Sequence, residues 1–422
     1  MMESTHPLEI ALGMHYYASD TPGIGGRLRA GPEDFIVEEI APAAGSEGPF
    51  LILRLTKRDW DQQRALREIG KQLGISYKKI GFAGTKDKHA VTSQLISIPG
   101  ISPGDLDRVR LRDIELEVAG RSQSPITLGS HSANRFDITI RDVDPKNLPE
   151  NVARVSEACR TAVPNYFGIQ RFGATRPVTH EVGRYLLKGD CEGAVLCYIG
   201  EAFPGETAEV KCARSSFITS GDVQAAIREF PLPLSYERSM LHHLAGQPGD
   251  YRGALAILPP KILSLFVSAY QSWLFNRALS ERIRDGGTLV DPVPGDRLVF
   301  LTGREDRVTT GNIGNARLQL QRGRCRIAIR MPGCRTGGPA SGDQAVMERL
   351  LDEDGIRNED FCSVRDLVNT RFEGASRPVS LATEVCAVAE EDKVRLSFPL
   401  PPGQYATTIC REYMKADPRA MV

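Results

Sequence analysis

The sequence predicts an α+β fold in which a second α+β domain is inserted into the first. Three observations carry this. The first part alternates strand-like runs with occasional helices and lacks a regular βαβ rhythm. Helical texture dominates from about residue 178, and strand texture returns beyond about residue 376. The two ends therefore resemble each other more than either resembles the middle, and insertion is tolerated where chain ends lie close together. The expected division is 1–177 and 376–422 for one domain and 178–375 for the inserted one. The length of 422 residues fits two or three domains.

The elements follow in order. "FIVEEI" (35–40) and "FLILRL" (50–55) read as strands. Asp61 can cap a helix whose Leu66, Ile69 and Leu73 share one face, and Gly74 ends it. "KIGFAG" leads into the loop "GTKDK", and "QLISI" leads out. "IELEVAG" and "RFDITIR" alternate in the strand manner. A helix over 149–163 turns Val152, Val155, Cys159 and Ala162 inward. Helices are expected over 180–200, 222–229, 260–284 and 343–353, the long one stopping at Gly286-Gly287. In that long helix, "YQSWLFN" (270–276) reads as core. "KVRLSFPL" and "YATTICREYM" read as closing strands, with a tight turn at Gly403.

Composition narrows the function classes. No segment approaches the roughly 18 apolar residues of a membrane span. No basic and then apolar leader opens the chain. The nine cysteines are scattered without a C-x-x-C pair, which favours free thiols in a reducing cytoplasm over a disulfide framework or zinc site. Formal net charge is zero, but charge is segregated. Residues 57–88 are rich in lysine and arginine. From Arg307 to Gly342 there is no acid, only Arg307, Arg317, Arg322, Arg324, Arg326, Arg330 and Arg335. The planar arginine fork suits phosphate contact, so Arg322 and Arg326 are candidate RNA contacts. Solvated faces balanced by acids elsewhere are the plainer reading.

Familiar cofactor motifs do not fit. In "GFAGTKDK", Thr85 separates Gly84 from Lys86, and a carboxylate follows, unlike a P-loop. "GIGGRL" lacks the third glycine of a dinucleotide fingerprint. His242 and His243 are adjacent, which suits chelation poorly, and H-E-x-x-H does not occur. Neither a metal nor a redox cofactor is called for.

On the residues alone, Asp87 in "GTKDK" reads as a turn residue. The segments "RAGPEDFIVEE", "GFAGTKDKHAVTSQ", "VPNYFGIQRFG", "AYQSWLFNRAL" and "LPPGQYATTICREYM" change this. Their order and spacing resemble the TruD family of tRNA pseudouridine synthases, in its archaeal branch, from about residue 23 to the C-terminus. The resemblance implies a pseudouridine synthase-type catalytic domain with a mixed, mainly antiparallel sheet. It implies isomerisation of uridine to pseudouridine in RNA, at uridine 13 of tRNA, with no cofactor and with tRNA as partner. It places the catalytic aspartate at Asp87, as nucleophile or as a base on the sugar. A carboxylate nucleophile must be ionised, and nearby cations favour that form. Lys86 and Lys88 adjoin it in sequence, and Arg29 matches a basic active-site position. The target base must leave its stack to react. The resemblance puts Asn165 on the uracil edge and Phe167 on its face, and Phe35 is a second stacking or pocket-wall candidate. Lys86 is a substrate-binding candidate and Lys88 an RNA contact. Tyr405 reads as a sheet residue, while Arg411 could reach the cleft or finish the sheet. The alternative is a non-catalytic tRNA-binding or RNA-folding protein, which would not need Asp87.

Overall fold

Side chains alternate across a β-strand, so Leu51, Leu53 and Leu55 share one face of the strand that carries them. In the computed structural model these leucines pack against Leu66, Ile69 and Leu73 of the following helix, and against Ile96 and Ile98 of a neighbouring strand. The structure describes residues 1–334 and 342–422. The chain divides into two units. One joins Ala18–Val163 to Ala382–Val422, and the other joins Met1–Tyr17 to Pro164–Leu381. The boundaries thus fall at 163/164 and 381/382, where the sequence suggested 177/178 and 375/376. Met1–Tyr17 goes with the inserted segment because the helix Pro260–Arg284 satisfies its backbone. Trp273 Nε1 donates to the Ala11 carbonyl, Asn276 Nδ2 to Leu12 and Ser280 Oγ to Gly13.

The first unit is built on a nine-stranded sheet. Its elements are β1 (Gly25–Arg27), β2 (Phe35–Ile40), β3 (Phe50–Arg58), α1 (Gln62–Leu73), β4 (Gly81–Phe82) and β5 (Val91–Pro99). β6 (Ile114–Ser122), β7 (Ala133–Val143) and α2 (Leu148–Thr161) follow. After the insertion come β8 (Cys386–Ala389), β9 (Lys393–Leu400) and α3 (Ala406–Met414). The strand order is β8-β9-β7-β2-β5-β3-β6, with β1 on β7 and β4 on β5. β2 and β5 run parallel, and the other pairs are antiparallel. The sheet is therefore mixed and mainly antiparallel, in an α+β fold.

α1 begins where the Asp61 side chain accepts from the Arg64 N–H. It ends at Gly74, whose φ of 70° a residue with a Cβ adopts only with strain. One expected strand is a helix: "YATTICREYM" forms α3, not a closing strand. Its Thr, Ile, Cys and Tyr favour strands intrinsically, but Ala406 and Thr408 through Met414 are all buried. Tertiary burial here overrides the residue-type preference for strand. Arg411 lies in this helix, and Tyr405 caps it.

The second unit is mainly helical. The stretch expected as one helix over 180–200 is two, Thr179–Leu187 and Cys191–Gly200, broken at Gly189 with φ 71°. Helices Ala208–Ser220, Ser235–Gly246 and Ile313–Gln321 were not read from the sequence. Pro260–Arg284 runs through this unit with Tyr270, Leu274 and Phe275 fully buried. A four-stranded antiparallel sheet takes Glu305–Arg307, Arg297–Phe300, Cys325–Arg330 and Ser376–Pro378 in that order. Among the described residues, no helix is long and apolar enough to cross a membrane.

Candidate active site

Several core alternations in the first unit end on a polar residue. Leu51, Leu53 and Leu55 are followed in phase by Lys57, and Phe35 and Val37 by Glu39. Ile98 and Ile96 lead back in phase to Gln94, and Phe136 to Asn134. On α1, Gln62 precedes Leu66, Ile69 and Leu73 on one face. Lys57, Glu39, Gln62 and Gln94 are as buried as the leucines, and Asn134 is half-buried. Together they contact the loop that joins β4 to β5 and carries "GTKDK".

Each buried polar group has a definite task. Gln62 Nε2 and Gln94 Nε2 donate to the Gly84 carbonyl, at 3.1 and 3.4 Å. Gln62 Oε1 accepts from the Lys86 N–H at 2.6 Å. Lys57 Nζ donates to the Asp87 carbonyl at 2.6 Å and to the Trp60 carbonyl at 2.8 Å. Burial pushes the Lys57 ammonium down to about 8, although Asp87, Asp61 and Asp59 pull the other way. Lys86 Nζ donates to Glu39 Oε2 at 2.8 Å and to Asn134 Oδ1 at 2.7 Å. Glu39 Oε1 also accepts from the Leu95 N–H. The His131 imidazole is held below its ordinary value by burial and by the charge of Lys86.

Above this floor the Asp87 carboxylate is 43% exposed. Arg29 Nη2 lies 3.3 Å from Asp87 Oδ1. The Arg29 guanidinium sits 4.2 Å above the Phe35 ring, and that ring meets Phe136 edge-on. The Arg29 backbone has φ 57°, a left-handed conformation costing a non-glycine residue roughly 1–2 kcal/mol. Its Nε is buried without a hydrogen-bond partner. A strained, under-satisfied arginine beside an exposed carboxylate is a pattern of functional sites. Phe35 is thus a buried platform for Arg29, and the Lys86 ammonium is engaged by Glu39 and Asn134. Lys88 is exposed.

Asn165 and Phe167 belong to the second unit. Asn165 is 1% exposed, and its amide has a protein partner on both sides. Oδ1 accepts from Arg377 Nη2 at 2.8 Å, and Nδ2 donates to the Pro378 carbonyl at 2.9 Å. The Arg377 guanidinium lies 3.9 Å from the centre of the Phe167 ring, and Phe275 meets that ring edge-on. Asn276 braces the Phe167 backbone twice, its Oδ1 accepting from the N–H and its Nδ2 donating to the carbonyl.

Three arginines of the acid-free segment pair with acids from outside it. Arg317 pairs with Asp291, Arg330 with Glu305 and Arg307 with Asp343. Arg322 and Arg324 are exposed and Arg326 is half-buried, while Arg335 lies outside the described residues. Among the described residues, no group of three or more His, Cys, Asp or Glu side chains is placed to hold a metal ion.

Known proteins match the chain over nearly its whole length. The family model for tRNA pseudouridine synthase D (TruD) matches residues 11–413. The chain belongs to the TruD family. A relative from Methanococcoides burtonii is 39% identical over the full length of both chains. One from Pyrococcus furiosus is 38% identical, over 94% of this chain and 98% of its own. Both are described as "probable tRNA pseudouridine synthase D". A crystal structure of a protein assigned to TruD from Methanosarcina mazei superposes with a TM-score of 0.84 and 37% identity. It covers 98% of each chain. The TruD match spans the GTKDK loop, its polar floor and the Asn165–Phe167 segment alike.

Lys57, Gln62, Glu39, Gln94, Asn134 and Arg377 were not singled out from the sequence. For the first five the signal was present, as a polar side chain in phase with a core alternation.

The buried Lys86–Glu39 pair yields a stability prediction. Glu39→Ala leaves an ammonium buried without its acid, which costs about 3–5 kcal/mol. Urea unfolding should show that loss, and Glu39→Ala/Lys86→Met should recover a large part of it.

Proposed function

We propose that the chain isomerises uridine to pseudouridine in tRNA, with uridine 13 as target and Asp87 as the catalytic carboxylate. The observation that carries this reading is the exposed Asp87 carboxylate, paired with Arg29 on a loop whose backbone is pinned from beneath. Family membership supports the reaction class.

The chemistry is redox-neutral and balanced. The N1–C1′ bond breaks, the uracil turns, and a C5–C1′ bond forms. C5 releases a proton, and N1 ends with one. Asp87 acts at the ribose, as nucleophile at C1′ or as a base on the sugar. Arg29 fixes the direction of the carboxylate. Phe35 holds Arg29 level, and Lys86 contributes by locking the loop to the sheet. Asn165 and Phe167 are assigned by family resemblance to the edge and face of the flipped base. Lys88, Arg322 and Arg326 are assigned to the RNA backbone, their support being exposure for Lys88 and Arg322 and partial exposure for Arg326. The substrate places the protein in the cytoplasm. A binding protein without turnover would have no use for a cation-held carboxylate, so the catalytic reading is preferred.

Asp87→Asn should lower pseudouridine formation more than about a thousand-fold while tRNA binding persists. Carbodiimide labelling and primer extension on an unmodified transcript measure this; normal activity in the variant would refute the assignment. Phe167→Ala should slow single turnover about ten- to a hundred-fold, the worth of roughly 1–3 kcal/mol of base stacking. An unchanged single-turnover rate counts against its role. Reversing charge at Arg322 and Arg326 together should weaken tRNA binding and reduce the salt slope by about two. Equal affinity and slope at several salt concentrations would return both residues to an ordinary solvated face.

A further inference from the structure

Asp87 is approached from two sides. Arg29 meets its carboxylate, and Lys57 meets its main chain. Lys57 lies on β3, two residues beyond Leu55 and in phase with the leucine core, and is 1% exposed. Such burial of a lysine is uncommon without an acid partner. Here the two hydrogen bonds recorded for the ammonium go to backbone carbonyls, those of Trp60 and Asp87. One bond holds the turn that leaves β3, and the other holds the residue that presents the carboxylate. A carbonyl held at 2.6 Å restrains the peptide plane that follows Asp87, and so narrows the directions in which Asp87 Cβ leaves the chain.

We propose that Lys57 is a positioning residue for the reaction, whose buried ammonium clamps the Asp87 main chain and so sets the aim of the catalytic carboxylate. The proposal rests on the assignment of Asp87 as the catalytic group.

The charge state of the clamp matters to its strength, because a charged donor makes the stronger hydrogen bond. The charged groups acting on Lys57 are Asp59 and Asp61 in the turn after β3, and Asp87 and Lys86 on the loop. Asp59 is itself bonded to His89. The residues opposite Lys57 on the flanking strands are Thr92 and Ile114, neither of which titrates. Burial outweighs the three carboxylates and brings the ammonium down to about 8. The clamp therefore holds fully below that pH and weakens as pH rises through it.

The test uses the full-length protein and an unmodified tRNA transcript. Lys57→Met should lower the single-turnover rate about a hundred-fold, the cost of a misplaced reacting group, with tRNA affinity within about three-fold of wild type. A matching loss of affinity, or an unchanged rate, overturns the proposal. Lys57→Arg keeps a cation at every assay pH and covers the case in which Lys57→Met does not fold. The wild-type rate should fall with a midpoint near pH 8, and the arginine variant should move that fall upward. A wild-type rate that is flat across the midpoint, or an arginine variant with the same profile, also overturns it. Asp87→Asn is assayed alongside. If it is inactive while Lys57→Met is normal, the clamp alone fails; if it is active, the catalytic assignment itself fails.

Discussion

A loop that leaves a sheet gives up its ladder of hydrogen bonds, yet its buried carbonyls and N–H groups still need partners. The segment from Gly84 to Asp87 meets this requirement with side chains. Gly84 is served by Gln62 and Gln94, Lys86 by Gln62, and Asp87 by Lys57. A buried group left unmet costs about 1–3 kcal/mol, so these bonds decide which loop shape is populated. Because the donors stand on β3, α1 and β5, the loop inherits the rigidity of the leucine and isoleucine core beneath. The exposed carboxylate is therefore carried by a backbone held at Gly84, Lys86 and Asp87.

Three cations surround this loop, and their differences follow from what each must do. Lys86 is buried against a buried acid, Glu39, which makes it a structural tie between loop and sheet. Lys57 has carbonyls rather than an acid at bonding distance, so burial acts on its charge with less compensation. Arg29 must be flat. Its guanidinium lies over the Phe35 ring while one edge meets Asp87, a geometry a lysine ammonium cannot reproduce. The left-handed backbone at Arg29 is part of the same arrangement, since it delivers the side chain to a place that regular strand geometry does not reach.

Much of the fold was legible because its elements are amphipathic. β2, β9 and the helix Asp343–Glu353 coincide with the runs read from alternation and capping. α3 reads as a strand because its Thr, Ile, Cys and Tyr favour strands, whereas burial in the tertiary structure decides for the helix. The prominence of Asp87 came from resemblance, whereas the polar floor was visible in principle as the phase of Lys57, Glu39, Gln62, Gln94 and Asn134. Part of the charge pattern was not legible, for a different reason. Sequence separation hides pairing, and Asp291, Glu305 and Asp343 lie outside the arginine run they neutralise.

The second unit uses the same device on another irregular segment. "PNYFG" lies outside regular structure from Asn165 onward, and buried side chains again complete its backbone. Asn276 closes on both the N–H and the carbonyl of Phe167, and Arg377 donates to the Asn165 carbonyl as well as to its side chain. The Arg377 guanidinium then lies over the Phe167 ring, so one side chain fixes both residues. Asn276 thus ties "YQSWLFN", which reads as plain core, to "PNYFG". Gln271, Ser272 and Asn276 are polar, buried and bonded outward from the helix, to Pro332, Arg171 and Phe167. An apolar residue at Asn276 would fill the space but remove its bonds to the Phe167 N–H and to the Phe167 and Leu12 carbonyls. The chemistry of a supporting residue is therefore constrained as tightly as that of the residue it supports.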